Sequence, residues 1–180
     1  MSIISTPLPY GEGFELNRSS SQAAGLVGWW PLGAYPDAKD KSLYGGKDGT
    51  VGGGIGAGSS SERRGLKFDG SDDKLEVAAN DLFVFGTGPF AICHWIWIAD
   101  ADDIPQYTGL LSNYPASWTG VESWFTETVN DEYGFYDGNA IDGSGAGHIA
   151  SGVTIKWGKW AHLAIVRQGI VASNDTKMYV

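Results

Sequence analysis

The chain has 180 residues, 42% of them apolar and 18% charged, enough hydrophobic material for a folded core and too much for a chiefly disordered chain. Lys and Arg total 12 against 21 Asp and Glu, and the net charge of −9 argues against nucleic-acid backbones and anionic membrane surfaces as partners. Glycine, at 27 residues, is about twice its usual share of roughly 7%. With 13% aromatics, this composition suits short strands joined by tight turns.

Residues 1–24 read as an extended N-terminal arm. Pro7, Pro9, Gly11 and Gly13 interrupt it, and Asn17–Gln22 is a polar run with no sustained period. Its apolar side chains, Ile3, Ile4, Leu8, Tyr10, Phe14 and Leu16, suit anchoring on a partner. No basic stretch followed by an apolar one opens the chain, so no secretory signal is expected. No apolar run approaches the roughly 18 residues of a membrane span. One cysteine, Cys93, cannot form an internal disulfide, which points to manufacture in a reducing cytoplasm.

A packed domain is predicted over residues 25–180. Gly25–Leu32 reads as a short apolar strand stopped by Pro31. Residues 45–61 are almost all Gly and Ser, with one short strand near Gly49–Val51. Their glycines lack the Lys-Ser/Thr ending that a phosphate cradle needs. Gly65–Gly70 and Lys74–Val77 read as a hairpin around the turn Ser71-Asp72-Asp73. Pro89–Ile98 is apolar on both parities, so a central strand covered on both faces is predicted, with Phe90, Ile92 and Trp95 in the core beside Phe68, Leu163 and Ile165. Further strands are predicted at Gly109–Ser112, Ser123–Thr128, Tyr133–Tyr136, Lys159–Val166 and Lys177–Val180, and no window reads as a helix. The fold class is therefore all-β, an antiparallel β-sandwich or jelly roll.

Four segments in order resemble the laminin-G-like, concanavalin A-like jelly-roll superfamily. Gly65–Val77 (GLKFDGSDDKLEV) is similar to the family's G-A-L-x-F-D-G-x-D-D hairpin. Phe90–Ile96 (FAICHWI) resembles its F-T-I-S-A-W-V strand, with His94 in place of a small residue. Gly158–Val166 (GKWAHLAIV) resembles G-x-W-x-H-v-A-v and precedes Met178-Tyr179-Val180, similar to L-Y-V-D-G. The opening Asn17 to Leu32 resembles the start of such domains in bacteriophage structural proteins. In that family a turn and several strands follow the last motif, so the resemblance implies a sandwich incomplete at its C-terminus, with an open edge near Thr176–Val180. The strands missing there would belong to a longer protein or come from another chain.

The resemblance implies a non-enzymatic structural or binding protein of a virion: a capsid decoration, head fibre or tail fibre. It would be made in the host cytoplasm, with other virion proteins or copies of itself as partners and no nucleic acid or membrane. The alternative is a carbohydrate-binding module for cell-surface glycans, with Trp118, Trp124, Tyr133 and Tyr136 as a stacking platform. A glycosidase is the third reading. That chemistry needs two carboxylates facing one bond, and the family's E-x-D-x-x-E is absent, Glu122, Glu127 and Glu132 being the nearest candidates. His94 and His162 sit in apolar strands without a nucleophile motif and read as structural, and Cys93 reads as a small buried hydrophobe. No cofactor is expected beyond a calcium ion, for which Asp69, Asp72 and Asp73, or Asp100, Asp102 and Asp103, would supply oxygens.

Overall fold

Antiparallel strands carry most of the described chain, with a single one-turn helix and a 3-10 turn as the helical pieces among those residues. The computed structural model describes residues 16–33, 37–59, 64–85, 88–99, 107–113, 124–137, 147–168 and 176–180. The chain divides into two units, Met1–Asn80 and Asp81–Val180.

In the first unit, α1 (Ser21–Ala24) occupies part of the predicted arm, capped by the Ser20 hydroxyl, which accepts from the Ala23 N–H at 3.2 Å. Ala23 is buried. Gly25–Leu32 is not a strand. Its backbone is held instead by Asp40, whose Oδ1 accepts the N–H groups of Trp29 at 3.1 Å and Ser42 at 2.9 Å. Asp40 Oδ2 meets the Lys47 ammonium at 3.0 Å, with both side chains almost fully buried. Burial alone would raise the Asp40 carboxyl, but the Ser42 N–H, the Lys47 ammonium and the Trp29 N–H outweigh it and hold the pKa at about 2. The Trp30 indole donates to the Lys47 carbonyl at 2.8 Å, so one ion pair ties three stretches of loop together.

The strands of this unit form an interrupted ribbon. β1 (Gly49–Gly52) pairs with β4 (Lys74–Val77), and β2 (Gly56–Ser59) pairs with β3 (Arg64–Lys67). The expected hairpin between Gly65–Gly70 and Lys74–Val77 is therefore not formed. Both segments lie on one arm of the ribbon, and the partner arm is the Gly-rich run 49–59. Asp69–Asp73 is a break within that arm. It faces Gly53, whose φ of +74° and absent side chain are both required, since a Cβ would lie 2.6 Å from Asp73 Oδ1. Phe68 flanks the break and is 48% exposed, against the expectation that it joins the core.

The second unit holds β5 (Phe90–Ile98), β6 (Tyr107–Asn113), β7 (Trp124–Val129), β8 (Glu132–Asp137), β9 (Gly147–Thr154), β10 (Lys159–Arg167) and β11 (Thr176–Tyr179). A four-stranded meander runs β6-β7-β8-β9, and a three-stranded sheet runs β11-β10-β5. The β7–β8 turn is Asn130-Asp131, both at positive φ (49° and 62°), the backbone that suits a two-residue hairpin. Ile92, Ile98, Leu163 and Ile165 from one sheet and Trp124, Tyr133 and Phe135 from the other join a single buried cluster with Ile155. At its end Arg167 is buried, its Nε donating to the Gly88 carbonyl at 2.9 Å and its guanidinium 4.5 Å from the Phe90 ring centroid.

β5 corrects the sequence reading twice. Among the described residues it is an edge strand of its sheet, not a central one, and its two faces differ in burial. Phe90, Ile92, His94, Ile96 and Ile98 turn inward, while Ala91, Cys93, Trp95 and Trp97 turn outward. Trp95, expected in the core, is 48% exposed. Ile92, Leu163 and Ile165 are buried as expected, and Phe90 packs against the cluster partly buried.

Candidate functional site

Directly opposed residues of an antiparallel pair share a face, so the β5–β10–β11 register gives the composition of the open side. Trp97 lies opposite Trp160, Trp95 opposite His162, Cys93 opposite Ala164, and Ala91 opposite Val166. On β11, Tyr179 lies opposite Ala164 and Lys177 opposite Val166. Trp97 is 43% and Tyr179 is 55% exposed, His162 is exposed, and Trp160 is half-buried. The Trp95 and His162 rings stand 4.9 Å apart, centroid to centroid, tilted by 51°. Ten side chains thus share one surface, aromatic at one end, small in the middle, with no carboxylate among them.

Local sequence explains why this face stays open. The opposite parity carries the branched aliphatics Ile92, Ile98, Leu163 and Ile165, which have no polar atom and fill the shared core. The outward parity carries indoles, an imidazole and a phenol, each with a polar edge that costs free energy if buried without a partner. Cys93 belongs to this face and is exposed, not the buried hydrophobe expected. Partial burial pushes its thiol pKa up, away from the reactive thiolate.

The platform expected from sequence is not assembled. Trp124 and Tyr133 are in the core, at 8% and 1% exposed. The Trp124 indole donates to the Phe83 carbonyl at 3.1 Å and its ring stacks on Phe85, which fixes it inside. Burial raises the Tyr133 phenol pKa. Tyr136 is half-buried, on the sheet face opposite to Tyr133, and Trp118 lies outside the described residues. The three tryptophans of the open face were missed because both parities of β5 read as apolar. The pairing with β10, not visible in either strand alone, distinguishes them.

Asp69, Asp72 and Asp73 do come together, with one carboxylate oxygen of each within 4.8 Å of the others. Calcium takes six to eight oxygens. Here Asp73 Oδ2 accepts the Asp69 N–H at 2.9 Å, Asp73 Oδ1 accepts the Gly54 N–H, and Asp69 Oδ1 accepts the Ser71 N–H at 2.8 Å. Half of the cluster's oxygens are thus spent on clasping the loop, and the arrangement fits a turn better than a cation cage. Asp100, Asp102 and Asp103 lie outside the described residues.

Of the acidic candidates, Glu122 is outside the described residues. Glu127 is buried on β7, opposite Gly109 and Gly134, and the Glu132 carboxylate accepts the Gly152 N–H at 3.1 Å. The β7–β8 hairpin puts Glu127 and Glu132 on one face, offset by one diagonal step, with Glu132 already engaged in its own sheet. His94 turns into the core. Neither of its ring nitrogens has a hydrogen-bond partner among the described residues. Burial, with the neighbouring His162 charge, lowers its pKa to about 4. An imidazole so placed is neutral at pH 7 and structural.

No family model matches the chain, and no curated protein or solved structure does.

Proposed function

We propose that this protein is a non-enzymatic binding and structural module, a jelly-roll sandwich that serves as a virion component of the decoration or fibre kind. The observation that carries the binding part is the open face of β5, β10 and β11, where tryptophans and a tyrosine stand 43–55% exposed on a regular sheet. The largest exposed apolar patch of a folded protein is often functional. The sequence lacks the paired-carboxylate motif of the related glucanases, and the carboxylates that share a face include one tied to backbone. The virion assignment rests on the four motifs in order and on the acidic, disulfide-free composition.

Two measurements test this. Mass spectrometry of purified particles from the source should find the chain in stoichiometric amount. Separately, the labelled chain should bind host cells or particles saturably, and Trp95→Ala/Trp97→Ala should lose that binding while keeping the wild-type far-UV spectrum. A chain absent from particles removes the virion reading. Undiminished binding by the double variant removes the open face as the binding surface.

A further inference from the structure

We infer that Asp69-Gly70, in the break of the first unit's ribbon, is a site of spontaneous isoaspartate formation, and that the fold protects Asp48-Gly49 on the partner arm from the same reaction. This modification site is independent of the binding reading above.

The chemistry needs no enzyme. The Gly70 nitrogen attacks the side-chain carboxyl carbon of Asp69. An N–C bond forms, and the carboxyl OH leaves with the amide proton as water, closing a five-membered imide. Water then opens the ring at either carbonyl. Opening at the side-chain carbon restores aspartate. Opening at the original main-chain carbonyl leaves the backbone running through Cβ and Cγ, one carbon longer, with a free carboxylate on Cα. Water lost equals water gained, so the product has unchanged mass. Glycine is the residue that hinders this closure least, because it has no side chain and a permissive backbone.

The chain has Asp-Gly steps at 48, 69, 137 and 142, and the first two lie wholly within the described residues. Their surroundings differ in every respect that the reaction feels. Asp69 and Gly70 are both exposed. The Gly70 N–H has no hydrogen-bond partner among the described residues, its φ is +78°, and nothing lies within 4 Å of where its Cβ would stand. Asp69 Oδ1 accepts the Ser71 N–H at 2.8 Å, an Asx turn that folds the carboxyl back over the Asp69–Gly70 peptide. The electrophile is thus held beside a nitrogen that is free to turn toward it.

Asp48-Gly49 is locked on both sides of the same bond. The Gly49 N–H donates to the Ala38 carbonyl at 2.8 Å, and Gly49 is paired with Val77 in β1. Asp48 Oδ1 accepts the Asp40 N–H at 3.0 Å, and Oδ2 meets the Lys39 ammonium at 2.6 Å. Ring closure there requires the nitrogen and the carboxyl to leave all three partners first.

The test ages the folded full chain near neutral pH for weeks, then maps it with trypsin. Residues 68–74 and 48–63 fall in separate peptides, because Lys47, Arg63, Lys67 and Lys74 bound them. Peptide 68–74 should split into two chromatographic species of one mass, with electron-transfer fragments placing the isoaspartate at 69. Peptide 48–63 should convert roughly tenfold more slowly or less, since it reacts only through local opening. In chain aged in concentrated urea the two rates should approach each other. Asp69→Glu, whose imide ring would be six-membered, should keep peptide 68–74 a single species. Three outcomes overturn the inference: peptide 68–74 stays single while 48–63 converts, the two convert at one rate in the folded chain, or the second species persists in Asp69→Glu and maps to Asp72 or Asp73.

Discussion

His94 should make the second unit sensitive to mild acid. Its ring points into a core of Ile92, Ile98 and Leu163, and neither nitrogen finds a partner among the described residues. The pKa falls from 6.5 to about 4, so the folded state resists a proton that the unfolded chain accepts. The sign follows from linkage: the unfolded state binds more protons, so stability rises with pH through this range. The contribution is fully present above pH 6.5, is lost progressively as pH falls toward 4, and changes no further below that. The full displacement corresponds to about 3 kcal/mol at roughly 1.4 kcal/mol per pKa unit. Between pH 7.5 and 5.0 the loss comes to about 2 kcal/mol.

Urea denaturation at those two pH values, followed by tryptophan fluorescence, measures it. With a urea m-value of about 2 kcal/mol/M, the midpoint should drop by about 1 M at pH 5.0 with little change in slope. His94→Leu fits the same space, removes both unpartnered nitrogens, and should flatten the pH dependence. At pH 7.5 it should be at least as stable as wild type, because an apolar replacement removes the desolvation cost of the ring nitrogens. If His94→Leu keeps the wild-type loss between pH 7.5 and 5.0, or if the His94 ring titrates near 6.5 by NMR, the burial argument is wrong.

The first unit should fail in a separate, more acidic window. The pKa of Asp40, held at about 2, adds stability that is present above pH 4 and lost between about 4 and 2, which repeated urea midpoints at pH 5, 3 and 2 would locate. Asp40→Asn should cost about 3–5 kcal/mol at neutral pH, since it leaves the Lys47 ammonium buried without its counter-charge. In the second unit, Phe135→Ala should cost about 3–5 kcal/mol, and Trp95→Ala less than about 1 kcal/mol, because Phe135 is fully buried and Trp95 half exposed. The reverse order in thermal melts would mean that the two faces of β5 are exchanged.

Alternation and turn chemistry were enough to read most of the strands. Lys74–Val77 alternates strictly, and Phe90–Ile98 and Lys159–Arg167 are long apolar runs with glycine or proline at their starts. Asn130-Asp131, two residues that tolerate positive φ, suits the β7–β8 hairpin turn. β2 and β9 were not legible. Gly56–Ser59 and Gly147–Thr154 carry few apolar side chains, and they are strands because neighbouring backbones supply hydrogen-bond partners. Missing β2 had a further effect. With no partner recognised for Gly65–Lys67, the nearest downstream strand looked like its hairpin mate, and Asp69–Asp73 was taken for a turn between paired strands when it interrupts one arm.

The open face was hidden for a related reason. On β5 alone both parities read as apolar, Phe90, Ile92, Ile96 and Ile98 on one and Trp95 and Trp97 on the other, so neither is singled out for solvent. The decision is made on β10, where Leu163 and Ile165 fall on one parity and Trp160 and His162 on the other. Pairing 94 with 163 and 92 with 165 gathers every isoleucine and leucine of the two strands on one side, and with them one imidazole. The opposite choice would bury three indoles and His162, each needing a hydrogen-bond partner that an apolar core does not supply. One unpartnered histidine, neutral at pH 7, is the smaller penalty. The cost of keeping His94 inside is thus what leaves the tryptophans facing solvent, and the acid sensitivity of the core and the aromatic platform are two consequences of one register.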